Sequence, residues 1–420
     1  MTLRLFWRRF HLWTGVACGL FLVTMALSGT VLLFGAKLDR VLHPGLYAVT
    51  GPAAAQPADV YLAKAKAAVP NGEPTQLRWP EEAGFPLTVL MRLTDRAGRQ
   101  GAPHANAPEQ AASEHRADRN ASPRGGAEPG VPAGRPRITM VYLDPPTGEV
   151  LGTADPRASV VGWFRSLHED LLIPAFGGRS IVGWDGVGLF VLCLTGLYLW
   201  WPRGASLLRA LGWRRGPAIS INLHHRVGFW IVVPLAVMAF TGIFQAFQPQ
   251  GRAFIGLFAP TTPQQMLQRA RGGAPLPKPN LEPQQVLDTV LSNGGSMHPV
   301  LLALPSEPDK TWRVQVSGAD GDAKTVLVED ATKAVSTPQA LQGDAFLAFM
   351  RRIHDGTHDG PIWNVIVLLA GLSPPLLFVT GIMMWLRRRR NESRGAANRA
   401  TDEPIASIST RALDQDHIAA

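Results

Sequence analysis

The sequence predicts an α-helical membrane protein, with four transmembrane helices arranged as a duplicated, pseudo-twofold bundle and two α+β domains outside the membrane. Three observations predict it. The 420 residues contain four long apolar runs without Asp, Glu, Lys, Arg or His, two long mixed segments separate these runs, and motifs of the first half recur in the second. Each run approaches the roughly 20 residues that a spanning helix needs.

The apolar runs divide the chain into spans and connecting segments. A cleaved signal peptide is the alternative for the first run, but its length exceeds the usual apolar core of about 7 to 15 residues. The second run is short unless it extends back across Asp185. The expected division is 1–36 for the N-terminus and first span, 37–180 for the first outer domain, 181–202 for the second span, 203–225 for a cytoplasmic loop, 226–248 for the third span, 249–359 for the second outer domain, 360–386 for the fourth span and 387–420 for a basic and polar tail.

Basic residues predict the orientation of the spans. Arginines cluster before the first run, after the second and after the fourth, where Arg387–Arg390 follow one another. Because positively charged segments stay in the cytoplasm, both termini are expected there, in a bacterial inner membrane, and the two long segments are expected in the periplasm. The formal charge of +9 is concentrated in these clusters. Membrane lipid, and no nucleic acid, is therefore the expected partner.

Each periplasmic segment has the pattern of a small α+β domain. In the first, residues 59–69 have the pattern of a short helix, and 138–152 that of a β-hairpin. The second contains a helix pattern near 282–291 and strand patterns in TWRVQV and KTVLVED. Residues 95–137 contain almost no large apolar side chains, so a disordered insertion is expected there.

Histidines and glycines of the first half recur at matched positions of the second. Spans one and three share a His-x-x-x-Gly motif, and spans two and four follow a histidine and end in Thr-Gly-x-x-x-Trp. The matched pairs are His11 and His224, Gly15 and Gly228, and Gly29 and Gly242, all 213 positions apart, then His168 and His354, and Gly196 and Gly381, which are 186 and 185 positions apart. This regularity predicts an internal duplication and a pseudo-twofold bundle.

The four repeated histidines are candidate haem ligands. Ionisable residues in or near a membrane usually face the bundle interior, so each symmetry-related pair can approach one iron from two sides. His11 and His224 form the inner pair, and His168 and His354 the outer pair. Structural and proton-relay histidines are the alternatives. The two cysteines lie inside apolar runs and no Cys-x-x-Cys-His motif occurs, so two non-covalent b haems are expected rather than zinc, copper or attached haem.

Repeated glycines are expected to make room for the two macrocycles. Gly15 follows His11 by about one turn, and Gly29 returns to the same helix face after five turns. Helix–helix packing is the alternative role for such small residues. The expected cofactor-packing set is Gly15, Gly29, Gly196, Gly228, Gly242 and Gly381.

Several motifs together resemble one protein family. RRFHLWTGVACGL, SLHEDLL, TGLYLWWPR, NLHHRVGFW, RIHDG and TGIMMWLRRRR resemble the PepSY-associated transmembrane helix family, and YLDPPTGEVLG resembles its PepSY domains. The resemblance covers nearly the whole chain apart from the 95–137 insertion and the tail. It implies an iron-regulated inner-membrane protein, similar to ferric-siderophore reductases whose two b haems would here be held by His11, His168, His224 and His354.

The ligand assignment is open at three histidine positions. The third-span motif reads His224-His225 where the family commonly has one histidine, so the inner ligand is ambiguous by one position. His225 and His358 have no repeat partner and stay secondary ligand candidates.

These expectations combine into a di-haem electron-transfer protein, an oxidoreductase that reduces ferric siderophore or another ferric chelate from Fe(III) to Fe(II) in the periplasm. No Gly-x-Gly-x-x-Gly motif follows a strand, so electrons are expected from quinol or a separate reductase. Two alternatives stay open. One is a non-enzymatic envelope protein whose PepSY-like domains bind or regulate partners, and the other is a transporter of the chelate, which four uninterrupted spans support poorly.

Overall fold

The computed structural model describes residues 3–80, 82–94, 137–202, 218–264, 266, 273–292, 297–318, 323–356 and 360–402. Apart from Arg137, the expected insertion lies outside the described residues, as do positions 203–217 of the predicted loop and the tail after Asp402.

The described elements are numbered in chain order. The helices are α1 (Leu3–Leu33), α2 (Gly35–Leu42), α3 (Ala58–Ala68), α4 (Val160–Asp170), α5 (Gly178–Trp200), α6 (Ile219–Ala246), α7 (Gln248–Ile255), α8 (Pro283–Ser292), α9 (Gln342–Asp355) and α10 (Gly360–Asp402). The strands are β1 (Gly72–Arg78), β2 (Leu87–Leu93), β3 (Ile138–Leu143), β4 (Val150–Ala154), β5 (His298–Ala303), β6 (Thr311–Ser317), β7 (Ala323–Glu329) and β8 (Val335–Ser336).

Within the described residues, four helices are long and apolar enough to cross a membrane: α1, α5, α6 and the Gly360–Arg394 part of α10. This confirms the four predicted spans. The second span does continue across Asp185, as expected from the short apolar run that follows this residue. Helix α6 begins at Ile219, before the predicted span start at residue 226, because His224, His225 and Arg226 end a run without ionisable residues although they continue the helix.

The four spans form a closed ring. Helix α1 packs against α5 and α10, and α6 packs against the same two helices, so α1 and α6 face each other across the ring. The beginning of α1 and the last part of α10 lie at one end of this bundle, here called the terminal end, and the strands lie beyond the other, here called the sheet end.

The two outer segments build one sheet. Its eight strands follow the order β4-β3-β2-β1-β5-β6-β7-β8, all pairs are antiparallel, and β1 joins β5 through the Leu77–Leu302 register. The expectation of two outer domains is therefore corrected to one domain with two similar halves. The physical reason is that an exposed edge strand has unpaired backbone groups, and pairing β1 with β5 satisfies two edges at once.

Helices α3 and α8 cover the same sheet and meet each other. The Ala58 backbone N–H of α3 donates to Gln284 of α8 at 2.8 Å, and the Gln284 N–H donates to Asp59 at 3.2 Å. Alternating strand residues point into the shared core, as in β6, where Trp312, Val314 and Val316 are buried. The helix and strand patterns of the sequence are thus confirmed, and their packing against one another is what joins the halves.

Buried aspartates fix the turns after β3 and β7. Asp144 accepts hydrogen bonds from the Thr50 backbone and hydroxyl at 2.7 Å, and Asp330 accepts from the Trp312 indole at 2.9 Å and the Asn280 backbone. Burial by itself would raise the pKa of Asp330, but these hydrogen bonds outweigh it and lower the pKa below its usual range. Each turn is therefore held by an ionised carboxylate.

Two helices connect the sheet to the bundle. Helix α4 follows β4 and packs against α1 and α5, whereas α9 follows β8 and packs against α6. Ser159 caps α4 by accepting a hydrogen bond from the Gly162 N–H at 3.0 Å, and α9 ends at Gly356, whose φ of 72° suits glycine. These helices carry His168 and His354 to the sheet end of the bundle.

Candidate functional site

His168 and His354 face each other at the sheet end. Their ring centroids are 6.3 Å apart, with an angle of 42° between the ring planes. Both side chains are half-buried. One comes from α4 and the other from α9, so the two halves of the chain contribute one imidazole each to this sheet-end pair.

The backbone of α1 fixes the protonation of His168. Its Nδ1 lies 2.9 Å from the Met25 carbonyl oxygen and 3.1 Å from the Ser28 hydroxyl. A carbonyl oxygen can only accept, so Nδ1 must carry the ring proton and donate it. The lone pair of the neutral ring is then on Nε2, which is the nitrogen available to a metal.

His354 is held in the same way by α6. Its Nδ1 lies 3.1 Å from the Thr241 hydroxyl, and that hydroxyl donates its own proton to the Val237 carbonyl at 2.8 Å. The Thr241 oxygen must therefore accept from Nδ1–H, because its single proton is already used. The two sheet-end histidines thus share one tautomer.

His11 and His224 make the equivalent contacts at the terminal end. His11 Nδ1 lies 2.8 Å from the Thr195 hydroxyl of α5, which donates to Val191 at 2.8 Å. His224 Nδ1 lies 3.0 Å from the Leu377 carbonyl and 3.1 Å from the Thr380 hydroxyl of α10. His11 and His224 form the terminal-end pair, which also uses one residue from each half.

The two pairs lie at different depths. Along α1, His11 and Ser28 mark the terminal-end and sheet-end pairs, and the helical rise between them corresponds to about 25 Å. This is close to the roughly 30 Å thickness of a bilayer core. Each end of the bundle therefore carries one histidine pair.

Four of the repeated glycines lie directly against these imidazoles. A Cβ added to Gly29 would lie 2.9 Å from His168 Cε1, and one added to Gly242 would lie 3.0 Å from His354 Cε1. The corresponding distances are 3.3 Å from Gly196 to His11 and 3.5 Å from Gly381 to His224. The sequence argument assigns these glycines to macrocycle clearance; the geometry shows that they admit the histidine rings. Gly15 and Gly228 are less crowded, with leucine methyl groups at 3.8 and 3.7 Å.

The hydroxyl residues of the site are the part that sequence reasoning missed. Each one immediately precedes one of the four glycines, and all four are buried. The Ser/Thr-Gly dipeptide in every span was the available signal, because the hydroxyl orients a histidine while the glycine makes room for it. These residues are Ser28, Thr195, Thr241 and Thr380.

His225 is the other described histidine that the sequence analysis singled out. His225 follows His224, with ring centroids 6.2 Å apart and ring planes at 88°, and it is His224 that contacts Leu377 and Thr380. His358 lies outside the described residues. Within the described ranges, no three His, Cys, Asp or Glu side chains converge on one point.

Burial keeps the sheet-end pair neutral. It lowers the pKa of His168, and it lowers the pKa of His354 to about 4, helped by the neighbouring His168. Neutral imidazole is the form that binds metals. The adjacent acids are exposed, and Glu169 lies 3.7 Å from the guanidinium of Arg179 rather than on a ring nitrogen.

Comparison with known proteins agrees with this architecture. The chain is 26% identical over 261 residues to the uncharacterized protein PA4219 of Pseudomonas aeruginosa, in an alignment that covers 53% of this chain and 62% of that protein. It thus spans less than two thirds of that relative's length. The family described as the PepSY-associated TM region matches residues 8–388. Since this match extends over nearly the entire sequence, the chain belongs to the PepSY-associated TM region family.

Proposed function

We propose that this membrane protein binds two b haems, one at each histidine pair, and that it reduces a ferric chelate. His168 and His354 would hold one iron at the sheet end, and His11 and His224 the other at the terminal end. In this proposal the protein lies in a bacterial inner membrane, its termini are cytoplasmic, and its sheet domain is periplasmic.

The observation that carries the proposal is the geometry of the sheet-end pair. Two imidazoles that held one metal ion through nitrogen atoms at about 2.0 Å would have ring centroids about 6 Å apart. The separation of His168 and His354 is 6.3 Å. Both rings also have Nδ1 engaged and Nε2 available, which is the usual arrangement of a metal-binding histidine with an outer hydrogen-bond acceptor.

Bound haem would supply a one-electron carrier based on its iron. The residues of this chain would do three things around it. The carbonyl and hydroxyl acceptors would orient the imidazoles and increase their basicity, the glycines would let the rings approach the helices, and the apolar spans would exclude water.

The proposed reaction is the one-electron reduction of Fe(III) in a chelate such as a siderophore, with a quinol or a separate reductase as the electron donor. Siderophore oxygens are hard donors that suit Fe(III), so Fe(II) is bound more weakly and can leave. No proton transfer from a side chain is required for that step. In this proposal the ferric chelate docks on the sheet domain.

Purified protein tests this proposal directly. We expect a Soret band and, by the pyridine haemochrome method, two haems per chain, with one lost in His354→Ala. His43→Ala is the matched control. His43 belongs to neither histidine pair and instead contacts Asp39, at 3.0 Å, so this variant should keep both haems. Protein without a Soret band would overturn the proposal and favour a non-enzymatic envelope protein that binds partners.

A cell-based assay separates reduction from transport. Cells that carry His168→Ala should fail to reduce the ferric chelate, measured as trapped Fe(II), while uptake of the intact chelate should be unchanged. Loss of uptake with normal reduction would contradict the reductase proposal and favour a transporter.

A further inference from the structure

Asp185 is an acidic residue inside the second span, α5. Its side chain is only 6% exposed, and neither carboxyl oxygen has a hydrogen-bond partner in the described protein. The described apolar parts of the other spans, through Leu386 in α10, contain no Asp or Glu. A buried polar group without a partner costs free energy, so this acid requires an explanation.

Asp185 lies between the two histidine pairs. Thr195, which holds His11, is further along the same helix by a rise of about 15 Å. In the other direction, toward the sheet end, Gly178 is separated from Asp185 by a helical rise of about 10 Å. Gly178 contacts Asp170, which follows His168 by two residues in α4. The carboxyl group is therefore within about 10 to 15 Å of each pair along the bundle.

Packing does not require an acid at this position. The matched residue of the second half is Ala370, which is also buried. The neighbouring glycines keep equivalent contacts, since Gly186 lies against Ile243 of α6 and Gly371 against Thr30 of α1. The second half thus shows that the same helix contact can be made with a methyl group instead of a carboxyl.

Among the residues that the structure describes, no cation pairs with this carboxyl group. Cys18 on α1 packs against Gly188, about one turn along α5 from Asp185. On α6 the ionisable residues His224, His225 and Arg226 all lie at the terminal end, and α10 has none between Gly360 and Leu386. On α5 itself, Arg179 pairs with Glu169 at 3.7 Å. An ionised Asp185 would therefore be an uncompensated charge.

We propose that Asp185 is an internal proton-binding site whose proton is exchanged with water when the charge at the histidine pairs changes. The coupling to the pairs rests on the proposed haem function; the proton site does not. When one electron is added at a histidine pair, the Asp185 carboxylate takes up one proton from water. When the electron leaves, the proton is released again. Acid–base chemistry on a substrate is not involved.

The size of the coupling follows from distance. Two unit charges about 10 to 15 Å apart, in an effective dielectric constant of about 20, change an equilibrium about tenfold. Ionisation of Asp185 should thus disfavour reduction at either pair about tenfold, which corresponds to about 59 mV for a one-electron couple.

Two measurements on the full-length protein in lipid nanodiscs test the proposal. Infrared spectra at neutral pH should contain the C=O stretch of a buried protonated carboxyl, which should disappear in Asp185→Asn and persist, with a shifted frequency, in Asp185→Glu. Asp185→Ala copies the residue of the second half and guards against a folding defect in the asparagine variant. An unchanged band in all variants would overturn the proton site.

Spectroelectrochemical titration from acidic to alkaline pH tests the coupling. The haem potentials of the wild type should fall by about 59 mV as Asp185 ionises, which corresponds to a tenfold change in the equilibrium constant. The Asp185→Asn variant should lack that step. An identical pH dependence in the two proteins would overturn the coupling. Protein that binds no haem would refute the proposed function and the coupling together, and the infrared result would still decide whether Asp185 holds a proton.

Discussion

Gly29→Ala should displace the imidazole of His168. The new Cβ would lie 2.9 Å from His168 Cε1, whereas ordinary contacts begin at 3.4 Å, so the ring must move by about 0.5 Å. Metal sites tolerate ligand distances only within about ±0.2 Å. The ring cannot retreat freely, since its Nδ1 is bound to Met25 and Ser28 of the same helix. The sheet-end pair should therefore lose its ability to hold iron from both sides.

The expected loss is about 10- to 100-fold in metal affinity, the range observed when the outer hydrogen-bonding shell of a metal site is disturbed. This corresponds to about 1.4 to 2.7 kcal/mol. The measurement is haem content per chain and the visible spectrum of the purified variant, where we expect loss of the sheet-end haem and retention of the other.

A matched control separates this effect from general crowding. Gly35→Ala places a Cβ 3.1 Å from Val161 near the same end of the bundle and touches no histidine. It should keep both haems. The reasoning is refuted if Gly29→Ala keeps two haems with unchanged spectra and potentials, or if both alanine variants lose the same haem.

The remaining predictions concern single contacts. Thr241→Val should remove the hydroxyl that accepts from His354 and weaken the sheet-end haem by about 1 kcal/mol, seen as haem release at lower denaturant concentration, whereas Thr241→Ser should behave as wild type. His224→Ala should lose the terminal-end haem and His225→Ala should keep it; the reverse spectra would assign the ligand to the other histidine. Because the folded-state pKa of Asp330 is lowered, its stabilising effect is present above the unfolded pKa of about 4 and is lost as pH falls below it. Urea unfolding of the sheet domain should therefore show a wild-type stability that drops between neutral pH and pH about 3, while Asp330→Asn starts lower and drops less; equal pH dependence would contradict this role.

Helix and strand positions could be predicted because their signals are local. The apolar runs mark the four spans, since lipid thickness sets how many apolar residues a helix needs. The hairpin of 138–152 and the short helices of the outer segments follow from periodicity and turn residues. Helix α6 nevertheless begins before the predicted span, because ionisable residues end an apolar run without ending the helix.

The sequence also predicted which histidines pair, because matched offsets relate them without any structure, and His168 does lie opposite His354. It could not assign the glycines. Gly15 and Gly29 share a helix face, yet only Gly29 meets an imidazole, and that imidazole comes from α4, 139 positions further along the chain. Knowing which residues share a helix face does not predict which other element of the chain packs against that face.

By itself, then, the sequence determined the number and approximate limits of the spans, the two α+β segments and the four matched histidines. Only the tertiary structure decided that the outer segments share one sheet, that each histidine donates from Nδ1 to an acceptor on a neighbouring helix, and that Asp185 is enclosed without a partner. The physical reason is that hydrophobic length and periodicity act between neighbours in the chain, whereas edge pairing, tautomer selection and desolvation depend on groups that meet only after the helices have packed.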